Sequence, residues 1–572
     1  MSVQARSYPL PLAPAELAAC LPCSHGAGCP LGVDAPAIAN AVLAGDHARA
    51  HRIARGPNPF ASSCGHGCHA PCETACRRGA HGAPVAISKL EAYAANFSVP
   101  TLLASPEPCT SAHDVRSVSA FAAATRSAAA PRSASGARVA IVGAGVAGLA
   151  CAHDLALLGH SCTIFDARAE PGGVLTSVLP TFRFPMASTR AECAAILAMG
   201  GEFRGEVCID APHALRSLRR QGFQAVFLGI GAMAPRGTVI EEPAPDLVLD
   251  AMALLTSSTP LAGRVVVAGD NQLAVDAARV LARRSGATGG DPLAAVHLVL
   301  PTSLEHSAIA PAMLAAAARE GVIVHHGWRV HRIYSSSADG CVTAVELVRP
   351  GQTSRVIPCD HVVDAAPRVP GLGALAGELA CTEQGFIATD PEALRTSCDG
   401  VWAGGACAFG HRSIAHAAAD GKRAAWSIHA SLAGVAVSIH LSSAWVEADD
   451  HRAERTQRAL ATRRTTPHAP VAPPADPFAI ATMPDPAEMG REAARCFDCT
   501  VVPHVDETCT ACGRCVDVCP VGAFTLDAGA PKPRLDQAPC TRCGLCAERC
   551  PEDAIAMVRA VWEERLVVTS AG

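Results

Sequence analysis

Residues 137–167 read ARVAIVGAGVAGLACAHDLALLGHSCTIFDA: an apolar run, a glycine turn, an amphipathic helical stretch and a second apolar run that ends on an acid. Strand, turn, helix and strand in that order form the unit that binds a dinucleotide at a helix N-terminus. Gly143 permits the tight turn, Gly145 lets the backbone approach a pyrophosphate, and Gly148 allows the helix to lie close on the strand. Asp166 closes the second strand about twenty residues on, where a carboxylate accepts ribose hydroxyls. A glycine turn alone is a weak signal; here the strand, the helix and the terminal acid all fit.

Far downstream, Cys509, Cys512, Cys515 and Cys519 before Pro520 are answered by Cys540, Cys543, Cys546 and Cys550 before Pro551, each run spelling CxxCxxCxxxCP. That spacing suits two 4Fe-4S clusters, each run giving three cysteines to one cube and its fourth to the other. Cys509, Cys512, Cys515 and Cys550 are therefore assigned to one cube, and Cys540, Cys543, Cys546 and Cys519 to its neighbour. Zinc usually takes its ligands as two CxxC pairs, and disulfides need neither the equal spacing nor the prolines. Residues 500–560 resemble bacterial-type two-cluster ferredoxins.

At 572 residues the chain has room for several domains, each with its own core. Segments rich in Ser, Ala and Pro at 105–137, and in Pro at 462–485, read as linkers and divide it into a cysteine-rich head, a central block and a tail. With 47 basic against 52 acidic residues and a net charge of -5, no general basic surface for nucleic acid is expected. No uninterrupted apolar run reaches the length of a membrane span. The first residues, MSVQARSYPLPLAP, lack the basic start and apolar run of a secretory signal, so a cytoplasmic protein is expected. In that setting the 27 cysteines, grouped at short spacings, read as metal ligands rather than disulfides.

After the fingerprint come EPGGVLTSVLPTFRFP (170–185), VVVAGDNQLAVDAARVLARR (265–284) and TSCDGVWAGGACAFGHRSIAHAAADGKRAA (396–425). In this order they resemble the small subunit of glutamate synthase and its relatives, over residues 15–435. The resemblance implies an α/β protein with two Rossmann-like dinucleotide-binding domains, one inserted in the other. A helical iron-sulfur domain precedes them and an α+β ferredoxin domain follows. It implies a head at 15–104, an FAD domain at 138–250 and 371–435, an inserted NAD(P)-binding-like domain at 251–370, and a ferredoxin-like domain at 490–565. By the same resemblance Gly143, Gly145, Gly148 and Asp166 hold the adenosine half of FAD, Gly172 and Gly173 lie near the flavin, and Gly404 and Gly405 approach its pyrophosphate or ribityl chain.

Two departures stand out. The family's GGGNTAxD is GDNQLAVD at 269–276 here, and the arginine pair after the next strand is replaced by Val299-Leu300-Pro301. Asp270 adds bulk and negative charge where a pyrophosphate would approach, and without the arginines NADPH in particular is disfavoured. Asp276 and Arg279 persist, which suits either a weakened nicotinamide site or a retained fold in which both pack internally. The family's GGD is Gly404-Gly405-Ala406, so the carboxylate that holds the ribityl chain is absent from that position.

Cys20, Cys23, Cys29, Cys64, Cys68, Cys72 and Cys76 resemble the head of the same subunit and of dihydropyrimidine dehydrogenase, which carries two 4Fe-4S clusters. Seven cysteines are one short of eight. The resemblance makes Glu91 a candidate eighth ligand, with His25, His66 and His69 as rivals. It divides the donors into Cys20, Cys23, Cys64 and Cys76, and Cys29, Cys68, Cys72 and Glu91; Glu91 as an ordinary helix residue stays open. Cys496 and Cys499 resemble a segment preceding such tails; they could complete a site, bind zinc or stay a reduced pair. The expected function is an FAD and iron-sulfur oxidoreductase subunit passing electrons between NAD(P)H and a ferredoxin or a larger redox complex. The alternative is an electron-transfer adapter without nicotinamide chemistry, serving a 2-oxoacid:ferredoxin oxidoreductase, a glutamate synthase-like enzyme or a hydrogenase.

Overall fold

The structure is a computed structural model and describes residues 29–96, 136–447 and 485–570, apart from isolated positions and short runs inside those spans. Among the described residues the head has four longer helices and a single turn of helix at Pro71–Thr74. α1 (Ala35–Leu43) and α2 (His47–Arg55) start where Asp34 and Asp46 accept the Ala37 and Arg49 N–H groups, both at 2.9 Å. α3 (Ala61–Gly67) lies against α4 (Ile87–Asn96) so closely that a methyl on Gly65 would stand 2.6 Å from the Ser88 carbonyl oxygen. Ile38, Ala50, Phe60, Leu90 and Ala94 fill the space between the helices.

In the central block, parallel strands Arg138–Val142, Ser161–Phe165, Glu202–Arg204, Ala225–Leu228 and Val401–Ala403 form one sheet, in which 138–142 lies between 225–228 and 161–165. Val139, Ala140, Ile141 and Val226 are wholly buried because helices or loops cover both faces, which is why these strands read as unbroken apolar runs. α5 (Val146–Leu157) follows the glycine turn. Ala234–Pro235 and Arg368–Val369 pair as the chain leaves this domain and returns to it. Between them a second parallel sheet sets strands 248–250, 361–364, 263–268, 293–300 and 323–326 in that order, beside an antiparallel three-stranded sheet spanning 329–358. Val248–Asp250 thus pairs within the inserted domain and not in the segment 138–250. α6 (Gln272–Ser285) follows this sheet's turn.

α7 (Ile414–Ala433), capped by Ser413, crosses α5 where Gly421 leaves no room for a side chain: a methyl there would meet the Ala147 carbonyl oxygen at 2.1 Å. The buried pair Lys422 and Asp154, at 2.8 Å, joins the two helices. Strand Val435–Glu447 then runs antiparallel to Ile555–Ser570, which also pairs with Val501–Val505, so the central block and the tail share a sheet. α8 (Pro486–Ala494) packs on α1 and α4 of the head, with Met489 and Ala493 fully buried. Among the described residues no helix is long and apolar enough to cross a membrane.

Candidate functional site

One cavity of about 800 Å³ runs from the glycine turn of the first sheet to that of the second, with Gly67 of the head in its wall. At the first end, Gly143 has φ +101, and a methyl on it would lie 2.4 Å from the Gly229 carbonyl oxygen. A methyl on Gly148 would lie 1.9 Å from the Gly143 carbonyl oxygen, so the helix can approach the strand only as glycine. Asp166 accepts the Ala144 N–H at 2.6 Å and the Arg168 N–H at 2.8 Å, so the acid also fixes the turn. Gly143, Gly145, Asp166, Gly173 and Gly405 line the cavity; Gly148, Gly172 and Gly404 stand behind its surface and serve close packing. Arg168 Nη1 is buried in this wall without a hydrogen-bond partner. A positive helix end, an open glycine backbone and an orphaned guanidinium nitrogen suit an anionic dinucleotide such as FAD.

Near Gly405 the wall is completed by a carboxylate from α7. Asp420 is 2 % exposed, accepts the Gly405 N–H at 3.1 Å, and is held by Arg412 on one oxygen and by Arg423 at 2.8 Å on the other. Ala406 and Asp420 both line the cavity, so an acid stands beside the position where the sequence lacks one.

At the second end, Asp270 accepts the Thr302 hydroxyl at 2.7 Å and the Ser307 hydroxyl at 3.4 Å, tying the two loops at the nucleotide mouth. Asn271 donates to the Ala365 carbonyl at 2.6 Å. Asp276 pairs with Arg183 of the first domain; Arg279 and Arg283 are taken by Glu320, at 2.6 and 2.7 Å, and lie over the Phe182 ring. Asp276 and Arg279 are therefore packed internally, although Asp270, Asn271 and Asp276 still border the cavity. Burial pushes the Asp276 carboxyl up, against the pull of Arg183 and Arg279.

In the head, Gly67 of the cavity wall is followed directly by the first of three further cysteines. Burial raises the Cys29 thiol to about 11, helped by the charges of Glu91 and Cys68, and raises Cys64 far up, helped by Glu91, Cys68 and Cys29. Cys72 is raised by burial and by Glu73, Cys29 and Glu91. Burial also lifts the Glu91 carboxyl to about 8, despite the hydrogen bond from Asn58 at 2.8 Å. The charges of Glu91, Cys68 and Cys29 all act on Cys64, so these groups are neighbours in the head. Burial raises the Cys76 thiol, against the pull of the Val85 and Arg78 backbone and of Arg495. His66 is bonded to the Ser62 carbonyl, and Cys20, Cys23, Cys499, His25 and His69 lie outside the described residues.

In the tail, Cys519, Cys540, Cys543 and Cys546 line one small hollow, the four donors that the spacing assigns to one cube. Burial and the charges of Cys540, Cys543 and Cys519 raise the Cys546 thiol to about 12. Cys515 is raised by burial and by Cys509 and Cys512, and Cys550 packs on the same core. Ala511 and Arg542, at matching places in the two runs, both take positive φ, +54 and +61. Thiols that raise one another are poor neighbours as thiolates until a polynuclear cation cancels their charge, so these donor sets suit 4Fe-4S clusters.

Residues 137–421 match the pyridine nucleotide-disulphide oxidoreductase family, residues 4–101 the dihydropyrimidine dehydrogenase domain II 4Fe-4S family, and residues 508–554 the 4Fe-4S dicluster domain. Residues 137–421 thus carry a pyridine nucleotide-disulphide oxidoreductase domain between two 4Fe-4S domains, an arrangement similar to that of the glutamate synthase small subunit. The chain is 30 % identical over 437 residues to the NADP(+)-dependent formate dehydrogenase subunit beta of Moorella thermoacetica, covering 70 % of this chain and 58 % of that one. It is 32 % identical over 269 residues to the NADPH-Fe(3+) oxidoreductase subunit beta of Geobacter sulfurreducens, covering 45 % and 36 %. With the glutamate synthase [NADPH] small chain of Mycobacterium tuberculosis it shares 27 % over 450 residues, covering 72 % and 86 %. The chain thus spans about 58 % and 36 % of the length of the first two relatives.

Within this family layout, three site residues carry no motif. Asp420 sits mid-helix, Ser413 looks like an ordinary N-cap, and Glu192, wholly buried, reads as a surface helix residue. Glu192 accepts the Ser62 and Ser63 N–H groups at 2.8 and 3.2 Å, capping α3 from the other domain. Ser413 lines the cavity, accepts the His416 N–H at 3.2 Å, and its hydroxyl offsets part of the rise that burial gives the Cys68 thiol. The sequence signal for Ser413 was its place between the Gly404-Gly405 turn and an alanine-rich helix.

Proposed function

We propose that the protein passes electrons between NAD(P)H and a ferredoxin or partner enzyme, as a subunit of a larger redox complex. The observation that carries this reading is that Gly67, the residue before Cys68 of the head, lines the dinucleotide cavity, so a head donor stands next to the cavity wall. FAD exchanges a hydride pair for single electrons, and 4Fe-4S clusters carry single electrons only. Gly143, Gly145, Asp166, Arg168 and Asp420 would hold the dinucleotide. Cys29, Cys68, Cys72 and Glu91 would supply the adjacent cluster, and the eight tail cysteines the two distal ones. At the second turn Asp270 repels an added phosphate and Arg279 and Arg283 are already paired, which favours NADH over NADPH.

The same two facts support a second reading, an adapter that receives electrons from a partner protein and binds no nicotinamide. Anaerobic titration of the purified protein separates them: NADH bleaches flavin absorbance at lower concentration than NADPH if the first reading holds. If neither nucleotide bleaches a flavin that dithionite readily reduces, the adapter stands and the dehydrogenase reading falls.

A further inference from the structure

Phe182 and Arg183 belong to the stretch TFRFP, which follows Gly172 and Gly173 by a few residues. The structure lays both side chains on one face of α6, the helix that starts at the second sheet's turn. Arg183 donates to the buried carboxylate of Asp276. The Phe182 ring centroid lies 4.5 Å from the guanidinium carbon of Arg279 and 3.9 Å from that of Arg283. Asp276, Arg279 and Arg283 stand at i, i+3 and i+7, which places them on a single stripe of the helix. Glu320, just after the helix Pro311–Arg319, bonds both arginines at 2.6 and 2.7 Å, so their charge is compensated within the inserted domain and the ring covers their flat faces.

This contact crosses a domain boundary. The inserted domain is joined to the first by the paired strands Ala234–Pro235 and Arg368–Val369, where Arg368 reaches the Met233 carbonyl at 3.2 Å and Asp250 at 2.5 Å. Two crossing strands alone leave rotation about them free, and a second attachment on α6 removes that freedom. The attachment depends on Arg183: the other oxygen of Asp276, Oδ1, is buried with no hydrogen-bond partner, and the nearby Arg279 and Arg283 are bonded to Glu320. Removing one partner of a buried pair strands the other, whereas an exposed bridge such as Arg190 with Glu170 contributes little. Gly173, Leu179 and Arg183 line the same cavity as Asp270, Asn271 and Asp276. The loop that leaves the first end of the cavity therefore grips the helix that carries its second end.

We propose that Arg183, with Phe182 beside it, is a positioning residue for hydride transfer: acting through Asp276, it holds the inserted domain in the orientation that sets a nicotinamide from the second turn against the flavin. The inference rests on the dehydrogenase reading above. In the step it serves, a hydride, two electrons with one proton, passes from the reduced nicotinamide to the flavin. Arg183 itself exchanges neither proton nor electron. Reacting atoms must come within ~3–3.5 Å of each other, and a misplacement of ~1 Å costs ~100-fold in rate, so the grip on α6 governs the rate of the step more than the affinity for the nucleotide.

The test is anaerobic stopped-flow reduction of the flavin in the full chain by NADH over a range of concentrations, for the unsubstituted protein, Arg183→Met, Asp276→Asn and the two combined. The limiting rate should fall ~10- to 100-fold in each single variant, while FAD per chain and the rate of reduction by dithionite stay as they are. Because the two residues act through one bond, the combined variant should be no slower than the slower single one. Arg190→Met, which removes only the exposed bridge to Glu170, should change no rate. Hydrogen exchange gives a readout that needs no nucleotide: residues 179–184 and α6 should lose protection together in Arg183→Met. Should Arg183→Met lose FAD, Asp276→Asn, which keeps the shape of the side chain, decides by the same criteria. An unchanged limiting rate, unchanged protection, or losses that multiply in the combined variant would overturn the positioning role and leave the dehydrogenase reading standing. A flavin that neither NADH nor NADPH reduces in the unsubstituted protein would overturn that reading, and the role of Arg183 with it.

Discussion

Replacing Asp420 by alanine should release FAD, because this one carboxylate joins the Gly405 turn to α7 at the cavity wall. The carboxylate accepts the Gly405 N–H at 3.1 Å, and it is only 2 % exposed, so water cannot take over the bond without entering the wall. Arg412 and Arg423, both partly exposed, would lose their partner but can turn toward solvent; their share of the cost is small. What remains is a charge-assisted hydrogen bond, ~1.5–3 kcal/mol, and the same again for any ligand hydroxyl that the acid accepts. Counting one such bond, the FAD dissociation constant should rise ~10- to 100-fold. The assay is quenching of flavin fluorescence on titration of the apoprotein, with FAD per chain after gel filtration as a check. Asp420→Ala combined with Ala406→Asp should recover most of the loss, since it returns an acid to the same stretch of wall. Unchanged FAD affinity in Asp420→Ala would refute the reasoning. So would an equal gain from Ala406→Asp whether or not Asp420 is present, because the two acids would then not be substitutes.

Ser413→Ala removes the cavity-wall hydroxyl that favours the Cys68 thiolate and, if that sulfur is a cluster ligand, should lower the reduction potential of the adjacent head cluster by ~40 mV, the one-electron equivalent of ~1 kcal/mol. Redox titration followed by electron paramagnetic resonance reads this directly, and an unmoved cluster potential with FAD still bound would remove Ser413 from the path. Lys422→Met strands the buried Asp154 and should cost ~3–5 kcal/mol. In the native protein burial raises the Asp154 carboxyl, but Lys422 and His153 outweigh it and hold it below the usual range, so its stabilisation is present above the unfolded value of ~3.9 and lost as pH falls. In the variant the folded value rises instead, and stability should decline as pH climbs from ~4 toward neutral. Melting temperatures of the two proteins across that range should diverge, and parallel curves would show that the ion pair is not what keeps Asp154 charged.

The parts legible in the sequence are those whose chemistry is local. The glycine turn is readable because Gly143 must take positive φ and Gly148 must lack a side chain for reasons contained within a dozen residues, and the tail cysteines because two short runs supply a full ligand set. The site's remaining parts depend on pairings between distant segments. Asp420 becomes a wall residue only because Gly421 lets α7 cross α5 against Ala147, and Glu192 becomes a helix cap only because its helix meets α3 across a domain boundary. In the head, Cys64, Cys68, Cys72 and Cys76 have a regular spacing that counts donors, but Glu91, which acts on Cys64, comes from a different helix. The departures from the family pattern obey the same logic. Asp270 is unfavourable as a pyrophosphate neighbour in isolation, but in the fold it is a loop tie satisfied by Thr302 and Ser307, and Arg279 is held by Glu320. At the second turn the arginines are taken by internal partners, while Arg183 of the first domain pairs with Asp276 at the border of the cavity. The proposed preference for NADH and the shape of the cavity can therefore be tested separately, because different residues bear on each.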